Sequence, residues 1–255
     1  MKTVQVASTL DIDVLIPARQ GSESLPGKNV RTLIDRPLAM HSIACAQLLG
    51  GVRYIYLSTD DPILAEQARE AGAYVPSLRP AELATSKTPM ADVIRHAMVS
   101  LDAAPGSASD FLLLLEPTSP LRNPRLINEA AQQLRASGHL DGAVSVSEPS
   151  FNPLWVGVEL GESGKIRRHP ATPHVFTRRQ DVPGFWRLNG NFYLWRNAFA
   201  RNMGNDWLDH GDLIGIETPE IFSYSIDTDS DFRLVEALLD FHFVSIPWLE
   251  HSNEK

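Results

Sequence analysis

Five consecutive large apolar side chains, Phe111-Leu112-Leu113-Leu114-Leu115, set the strongest constraint on how this chain folds. On a strand, successive side chains point to opposite faces, so a run that is apolar at every position must be covered on both. That is the condition of an inner strand with helices packed above and below it. Shorter runs of the same kind, Val14-Leu15-Ile16, Tyr54 to Ser58 and Ala143 to Val146, alternate with helical patterns over 37–49, 63–71, 90–101 and 124–138. Gly72 reads as the C-cap of the second of these; Pro124 opens the last and Gly138 ends it.

The strand–helix alternation predicts an α/β fold: a Rossmann-like, mostly parallel, twisted sheet flanked by helices, with ligands at the carboxyl ends of its strands. Phe192 to Trp195 and Ser223 to Ile226 are expected to resume the sheet, and 231–243 to form a closing helix. Between about residues 150 and 187 the rhythm breaks into a stretch rich in Pro, Gly, Arg and aromatics. This reads as an arm, either a lid or a subunit contact, on one domain spanning residues 1–255.

Composition limits the partners. Of 255 residues 43% are hydrophobic and the formal charge is -8, which argues against broad binding to nucleic acid or an anionic membrane. No apolar run approaches about 18 residues and no basic segment leads into an apolar one, so the expected location is the cytoplasm. The one cysteine, Cys45, lies in an apolar run and is expected to be a buried structural thiol. His41 and His96, on helical stretches among apolar residues, are expected to be structural.

The loop after the first strand, "LIPARQGSESLPGKN" at 15–29, looks at first like a phosphate loop. A Walker A loop needs four residues between its glycines and then Lys-Ser or Lys-Thr. Here five separate Gly21 from Gly27, and Asn29 follows Lys28. No G-x-G-x-x-G is present either. What survives is a loop whose Arg19 and Lys28 could converge on one polyphosphate, with Gly21 and Gly27 permitting close backbone approach.

The wording of that loop resembles the first motif of the acylneuraminate cytidylyltransferases, I-P-A-R-x-G-S-K-x-[IL]-P-x-K-N. "LLLLEPTSPLR" at 112–122 is similar to that family's L-L-Q-P-T-S-P-L-R, and "RPAELA" at 79–84 to its base-side loop. "RRQDVPGFWRLNGNFY" at 178–193 and "IDTDSDF" at 226–232 resemble its R-R-Q-x-x-P…N-G-x-x-Y segment and its D-I-D-T-x-x-D-F ending. The blocks span nearly the whole chain in the family's order.

The resemblance implies a sheet of the nucleotide-diphospho-sugar transferase type, a homodimer whose mid-chain arm crosses to the partner, and a magnesium-dependent reaction. In it the anomeric hydroxyl of a nonulosonic-acid-type 2-keto sugar attacks the α-phosphate of CTP, giving a CMP-sugar and pyrophosphate. The catalytic cations would be Arg19 and Lys28. The nucleotide would be bound by Ala18, Arg19, Gly21, Ser22, Lys28 and Asn29, with Arg79 by cytosine. Glu116, Arg179, Asn189 and Tyr193 would bind the sugar, Arg179 at its carboxylate, and Asp227 would hold Mg2+.

Three positions depart from the family pattern. Glu23 stands for its Lys, Glu116 for its Gln, and Ser225 for the first Asp of the D-I-D pair. A carboxylate at 116 suggests a hydroxylated or amino-bearing sugar in place of an N-acyl one, or a different acceptor altogether. The loss at 225 leaves the second metal ligand open between Asp229 and Asp231. Three other readings stand beside the main one. Asp227-Thr228-Asp229 also fits the D-x-D motif of nucleotide-sugar-dependent glycosyltransferases, a guanylyl-type sugar nucleotidyltransferase shares the same chemistry, and the three departures together suit a catalytically inactive nucleotide-binding homologue.

Overall fold

β1 (Ile12–Pro17) runs through the sheet with Ile12, Val14, Leu15 and Ile16 fully buried, in a computed structural model that describes residues 11–22, 24–106, 108–169 and 176–250. The loop that follows leads into a small hairpin, β2 (Thr32–Leu33) and β3 (Arg36–Pro37), and then α1 (Leu38–Gln47). β4 (Val52–Ser58), α2 (Pro62–Glu70) and α3 (Met90–Asp102) precede β5 (Phe111–Leu114). Next come α4 (Pro124–Ser137), β6 (Gly142–Ser147), the short α5 (Pro153–Val156) and the hairpin β7 (Val158–Leu160) and β8 (Ile166–Arg168). β9 (Arg187–Arg196), α6 (Asn197–Asn202), α7 (Trp207–His210), β10 (Leu213–Glu217), α8 (Asp229–Asp240) and α9 (Pro247–Glu250) complete the described chain.

The six-stranded sheet has the order β10-β6-β9-β5-β1-β4. β9 runs antiparallel to both neighbours, and the other pairings are parallel. Alternation of side chains across the sheet accounts for the all-apolar runs. Val14, Ile16, Leu113 and Leu115 join the core under α1, α2, α4 and α8. Leu15, Leu112 and Leu114 join a second core against α3 and α6. Each fully buried leucine contributes roughly 1.5–3 kcal/mol, so a charge at Leu113 or Leu114 would break the sheet at its centre. Among the described residues no helix is long and apolar enough to cross a membrane.

Local signals fix the helix ends that shape the rim. Asn123 caps α4 by accepting from the Arg125 N–H, Pro124 occupies the first turn, and Gly138 ends the helix at φ +68°. α8 opens with a capping box: Thr228 accepts from the Asp231 N–H, and the Asp231 carboxylate accepts from the Thr228 N–H.

One expected strand is corrected. Residues 223–226 form none; the chain turns through a 3-10 segment, Glu220–Phe222, after Pro219, Ser223 Oγ accepts from Arg187 of β9 at 2.7 Å, and the Ile226 N–H donates to the Thr118 carbonyl at 2.7 Å. The edge strand is β10 instead, parallel to β6. Its Leu-Ile-Gly-Ile-Glu is short and half-exposed, which gives a weak periodic signal. The arm is described up to 169 and from 176. Its hairpin is exposed at every position of β7 and β8, with Val158, Leu160 and Ile166 turned to solvent.

Candidate active site

Strand order reverses at β1, with β4 on one side and β5 on the other, both parallel to it. In open α/β sheets the crevice beyond the carboxyl ends at such a point is where ligands bind. Here the loop after β1 and the loop after β5 diverge around a cleft of about 350 Å³. Arg19, Ser22, Lys28 and Asn29 line it from the first loop, Glu116 from the second, and Asp227 from the segment before α8.

The β1 loop is tied at several points. Ala18 continues the sheet, donating to the Ser58 carbonyl at 2.8 Å, and is fully buried. The Gln20 N–H is held by Asp60 at 2.8 Å, and the Asn29 side-chain amide donates to the Arg19 carbonyl at 2.8 Å. Asn29 therefore closes the loop that it was expected to serve as a ligand contact. Gly21 lies under the Arg19 guanidinium: a Cβ there would stand 3.5 Å from Nη1. Glu23 lies outside the described residues.

Lys28 is buried, and its ammonium donates to the Ile226 carbonyl at 2.8 Å and to Asp227 Oδ1 at 3.1 Å. Ser225 donates to the other Asp227 oxygen at 3.3 Å. Neither expected second metal ligand is free for that task. Asp229 is paired with Arg31 at 2.6 Å and Arg233 at 2.7 Å, and Asp231 accepts from the backbone of Asp227 and from Thr228. The T-x-x-D spacing of the capping box was the sequence signal for this. Among the described residues no group of three His, Cys, Asp or Glu is placed to hold a metal by itself.

Glu116 lies at the head of the β5 loop, where burial raises its carboxyl above the ordinary value; Arg122 opposes the shift, Asp227 adds to it and Lys28 opposes it. Its Oε2 would stand 3.3 Å from a Cβ on Gly190, and Ser119 Oγ 3.1 Å from the same point. Gly190 takes φ +73°, which turns β9 toward the rim beside Asn189. Asn189 is buried; its Oδ1 accepts from the Asn191 N–H, while its Nδ2 and the Ser119 hydroxyl have no partner among the described residues. Tyr193 stacks on Trp195 at 5.5 Å, and burial, then the charge of Glu116, push its hydroxyl up to about 12.

Two expected contacts lie elsewhere. Arg79 is buried at the end of β4, its guanidinium bound to the hydroxyl and carbonyl of Ser58; it does not line the cleft, although Arg19 is near enough to help lower its pKa after burial and against Asp60 and Tyr56. Arg179 sits exposed on the arm and outside the cleft. The residue that sequence reasoning missed is Arg122. Fully buried, it donates to the Glu116 and Asn191 carbonyls and to Ser42 Oγ, and so locks the β5 loop to β9 and α1. An arginine beside leucine at the end of an otherwise apolar block was its only signal.

A doubly wound sheet with cations and a carboxylate around one crevice at its switch point defines a nucleotide-binding α/β transferase. Residues 14–153 match the family described as cytidylyltransferase, and the chain belongs to that family. A CMP-N,N'-diacetyllegionaminic acid synthase from Legionella pneumophila is 32% identical over 241 residues, covering 89% of this chain and 95% of that protein. An N-acylneuraminate cytidylyltransferase from Streptococcus agalactiae serotype V is 28% identical, covering 90% of this chain and 53% of that longer protein. Among solved structures, a CMP:2-keto-3-deoxy-manno-octonic acid synthetase complexed with CTP has a TM-score of 0.69 at 20% identity, over 91% of this chain and 99% of that one. At that identity the likeness speaks for the fold.

Proposed function

We propose that this chain transfers CMP from CTP to the anomeric hydroxyl of a 2-keto sugar acid of the sialic or legionaminic type, releasing pyrophosphate. The observation that carries the reading is the meeting of Arg19, Lys28, Glu116 and Asp227 in one cleft at the switch point of a cytidylyltransferase. Arg19 and Lys28 hold the triphosphate. An ammonium has three donors; Lys28 spends two on Ile226 and Asp227 and keeps one for the ligand. In-line displacement at the α-phosphate needs no protein nucleophile, so alignment and charge stabilisation carry the step.

Asp227 fits a magnesium ion. Its side chain is 63% exposed and borders the cleft, outside the capping box and the Arg31 pair, and its contacts with Lys28 and Ser225, at 3.1 and 3.3 Å, leave lone pairs on both oxygens. Magnesium is commonly bound by one or two carboxylates together with substrate phosphates, and when bound it neutralises charge developing on them. Asn189 and Tyr193 border the sugar side of the rim. Arg179 would meet the sugar carboxylate in a second copy of the chain, reached by the arm whose apolar hairpin is exposed here. The enzyme would work in the cytoplasm, where CTP is available.

Pyrophosphate release from CTP, magnesium and a panel of 2-keto sugar acids tests the reading, with turnover expected for one nine-carbon acid at least. A thermal-shift series of CTP against UTP, GTP and ATP checks the base, since a ligand of the native state raises its melting point. Preference for GTP would redirect the assignment to guanylyl transfer.

A further inference from the structure

Glu116 stands where two hollows meet. It lines the nucleotide cleft and also a neighbouring cavity of about 210 Å³ walled by Leu114, Tyr193, Trp195, Met203 and Trp207. Cavities that enclose a whole small ligand run to about 300–1,000 Å³, so this one receives only a part of the acceptor. Which part is set by the charge and the rings around it.

Among the described residues that line this cavity, Glu116 alone carries a charge. No hydrogen bond or ion pair joins its carboxylate to a described residue, although its backbone carbonyl is fixed by Arg122. The two cations that act on it are engaged elsewhere: the Arg122 guanidinium on the Glu116 and Asn191 carbonyls and Ser42 Oγ, the Lys28 ammonium on the Ile226 carbonyl and Asp227. Burial outweighs the pull of both and leaves the carboxyl raised, so the protein does not itself balance this charge.

The rings point to the same kind of occupant. Tyr193 and Trp195 stack with centroids 5.5 Å apart, and Trp207 stands at 85° to the first and 77° to the second, at 5.8 and 5.4 Å. Aromatic faces carry negative potential, so a corner built of three rings favours a cation. A neutral N-acyl group would offer one N–H to the two carboxylate oxygens and set its carbonyl beside a negative charge. An ammonium or an amidinium brings several N–H donors and the matching charge.

We propose that the acceptor sugar acid carries a positively charged nitrogen substituent, which this cavity receives with Glu116 as its ion-pair partner. The substituent lies among Tyr193, Trp195 and Trp207 and donates to the Glu116 oxygens. The carboxylate of the sugar stays outside this negative cavity, and the anomeric hydroxyl is directed to the α-phosphate in the adjoining cleft. Glu116 is a specificity residue, and no bond-making step passes through it.

The inference rests on the CMP-transfer reading, and one set of acceptors separates the two. The set consists of pairs of 2-keto sugar acids that differ at a single nitrogen, which carries an acetimidoyl group in one member and an acetyl group in the other. The two groups share a shape, and only the first is charged at neutral pH. If the parent releases pyrophosphate with no member of the set in the presence of CTP and magnesium, the CMP-transfer reading falls and this inference falls with it. The expected result is a kcat/KM about 30-fold higher for the acetimidoyl acid of one pair, and a larger rise in melting temperature with that acid than with its partner. An acetyl acid used as well or better in every pair would leave CMP transfer standing and overturn the charge selection. Glu116→Gln then tests the partner: it removes the charge and restores the residue of the family pattern. The preference should shrink to within about threefold, with the acetyl acid gaining, and a preference equal to that of the parent would overturn the role of Glu116. Should Glu116→Gln fail to fold, Glu116→Ala decides in the same way: loss of the preference supports the pairing, and the parent ratio refutes it.

Discussion

Lys28 and Asp227 are 199 residues apart in the chain and meet at 3.1 Å, with the ammonium also bound to the Ile226 carbonyl at 2.8 Å. One contact therefore joins the loop after β1 to the segment proposed to hold the metal. The pair is unequal: the Lys28 side chain is 8% exposed and that of Asp227 63%. A half-exposed ion pair of this kind contributes little to stability, about 1 kcal/mol at most. Its value lies in where it puts two charges.

Lys28→Ala should separate function from folding. Asp227 remains solvated when its partner is removed, but the buried Ile226 carbonyl loses a donor, so a loss of about 1–3 kcal/mol is expected from a protein that still folds. Loss of a positioned cation at the leaving pyrophosphate should lower kcat/KM by about 100-fold. Pyrophosphate release beside a thermal melt checks both; parent-level turnover would displace Lys28 from the phosphate site.

Gly190→Ala should damage the site more than its size suggests. At φ +73° a Cβ adds roughly 1–2 kcal/mol of strain. It would also stand 3.1 Å from Ser119 Oγ and 3.3 Å from Glu116 Oε2. Gly138, at φ +68° with nothing within 4 Å of its Cβ position, supplies the control. Both alanine variants should lose comparable stability in urea titrations, but only the variant at 190 should lose kcat.

Arg122→Met tests the clamp beneath the site. Methionine fills much of the volume and leaves the Glu116 and Asn191 carbonyls and Ser42 Oγ without their donor. Unmet buried acceptors cost about 1–3 kcal/mol each, so a loss of about 3 kcal/mol is expected. At this chain length that is a melting temperature lower by roughly 6–12 °C. A melt within a degree of the parent would mean that these loops hold themselves.

Sequence made the centre of the sheet legible and its margins less so. β1, β4, β5 and β6 announce themselves as apolar runs because both of their faces are covered. The direction of β9 was not readable, since an inner strand packs the same residues whichever way it runs. Ile226 looked like part of a strand because it is apolar, and its side chain does pack into the main core, but its backbone pairs with no strand: its N–H donates to the Thr118 carbonyl and its carbonyl accepts from the Lys28 ammonium. The site was visible as a set of motifs. The arrangement inside it was not: Asp227, Asp229 and Asp231 are chemically alike, and the pairing of Asp229 with Arg31 and Arg233 and the capping box at Asp231 leave Asp227 at the cleft.

His41 should make the fold acid-sensitive. It is fully buried, its Nε2 faces the Leu33 carbonyl at 2.9 Å, and its Nδ1 accepts from Trp248 Nε1 at 3.0 Å. This arrangement requires the neutral ring, with the proton on Nε2. Burial is the chief cause that lowers its pKa from 6.5 to about 4, against the opposing pull of the Leu33 carbonyl. Between those values the unfolded chain binds the proton and the folded one does not, so stability is complete above about pH 6.5 and falls as the pH drops toward 4. Between pH 7 and pH 5 the loss from this one group is about 2 kcal/mol. His41→Gln, which can donate and accept without titrating, should start lower at pH 7 and lose less on going to pH 5. Urea titrations of both proteins at the two pH values check this, and equal losses would mean that the His41–Trp248 contact does not hold the ring neutral.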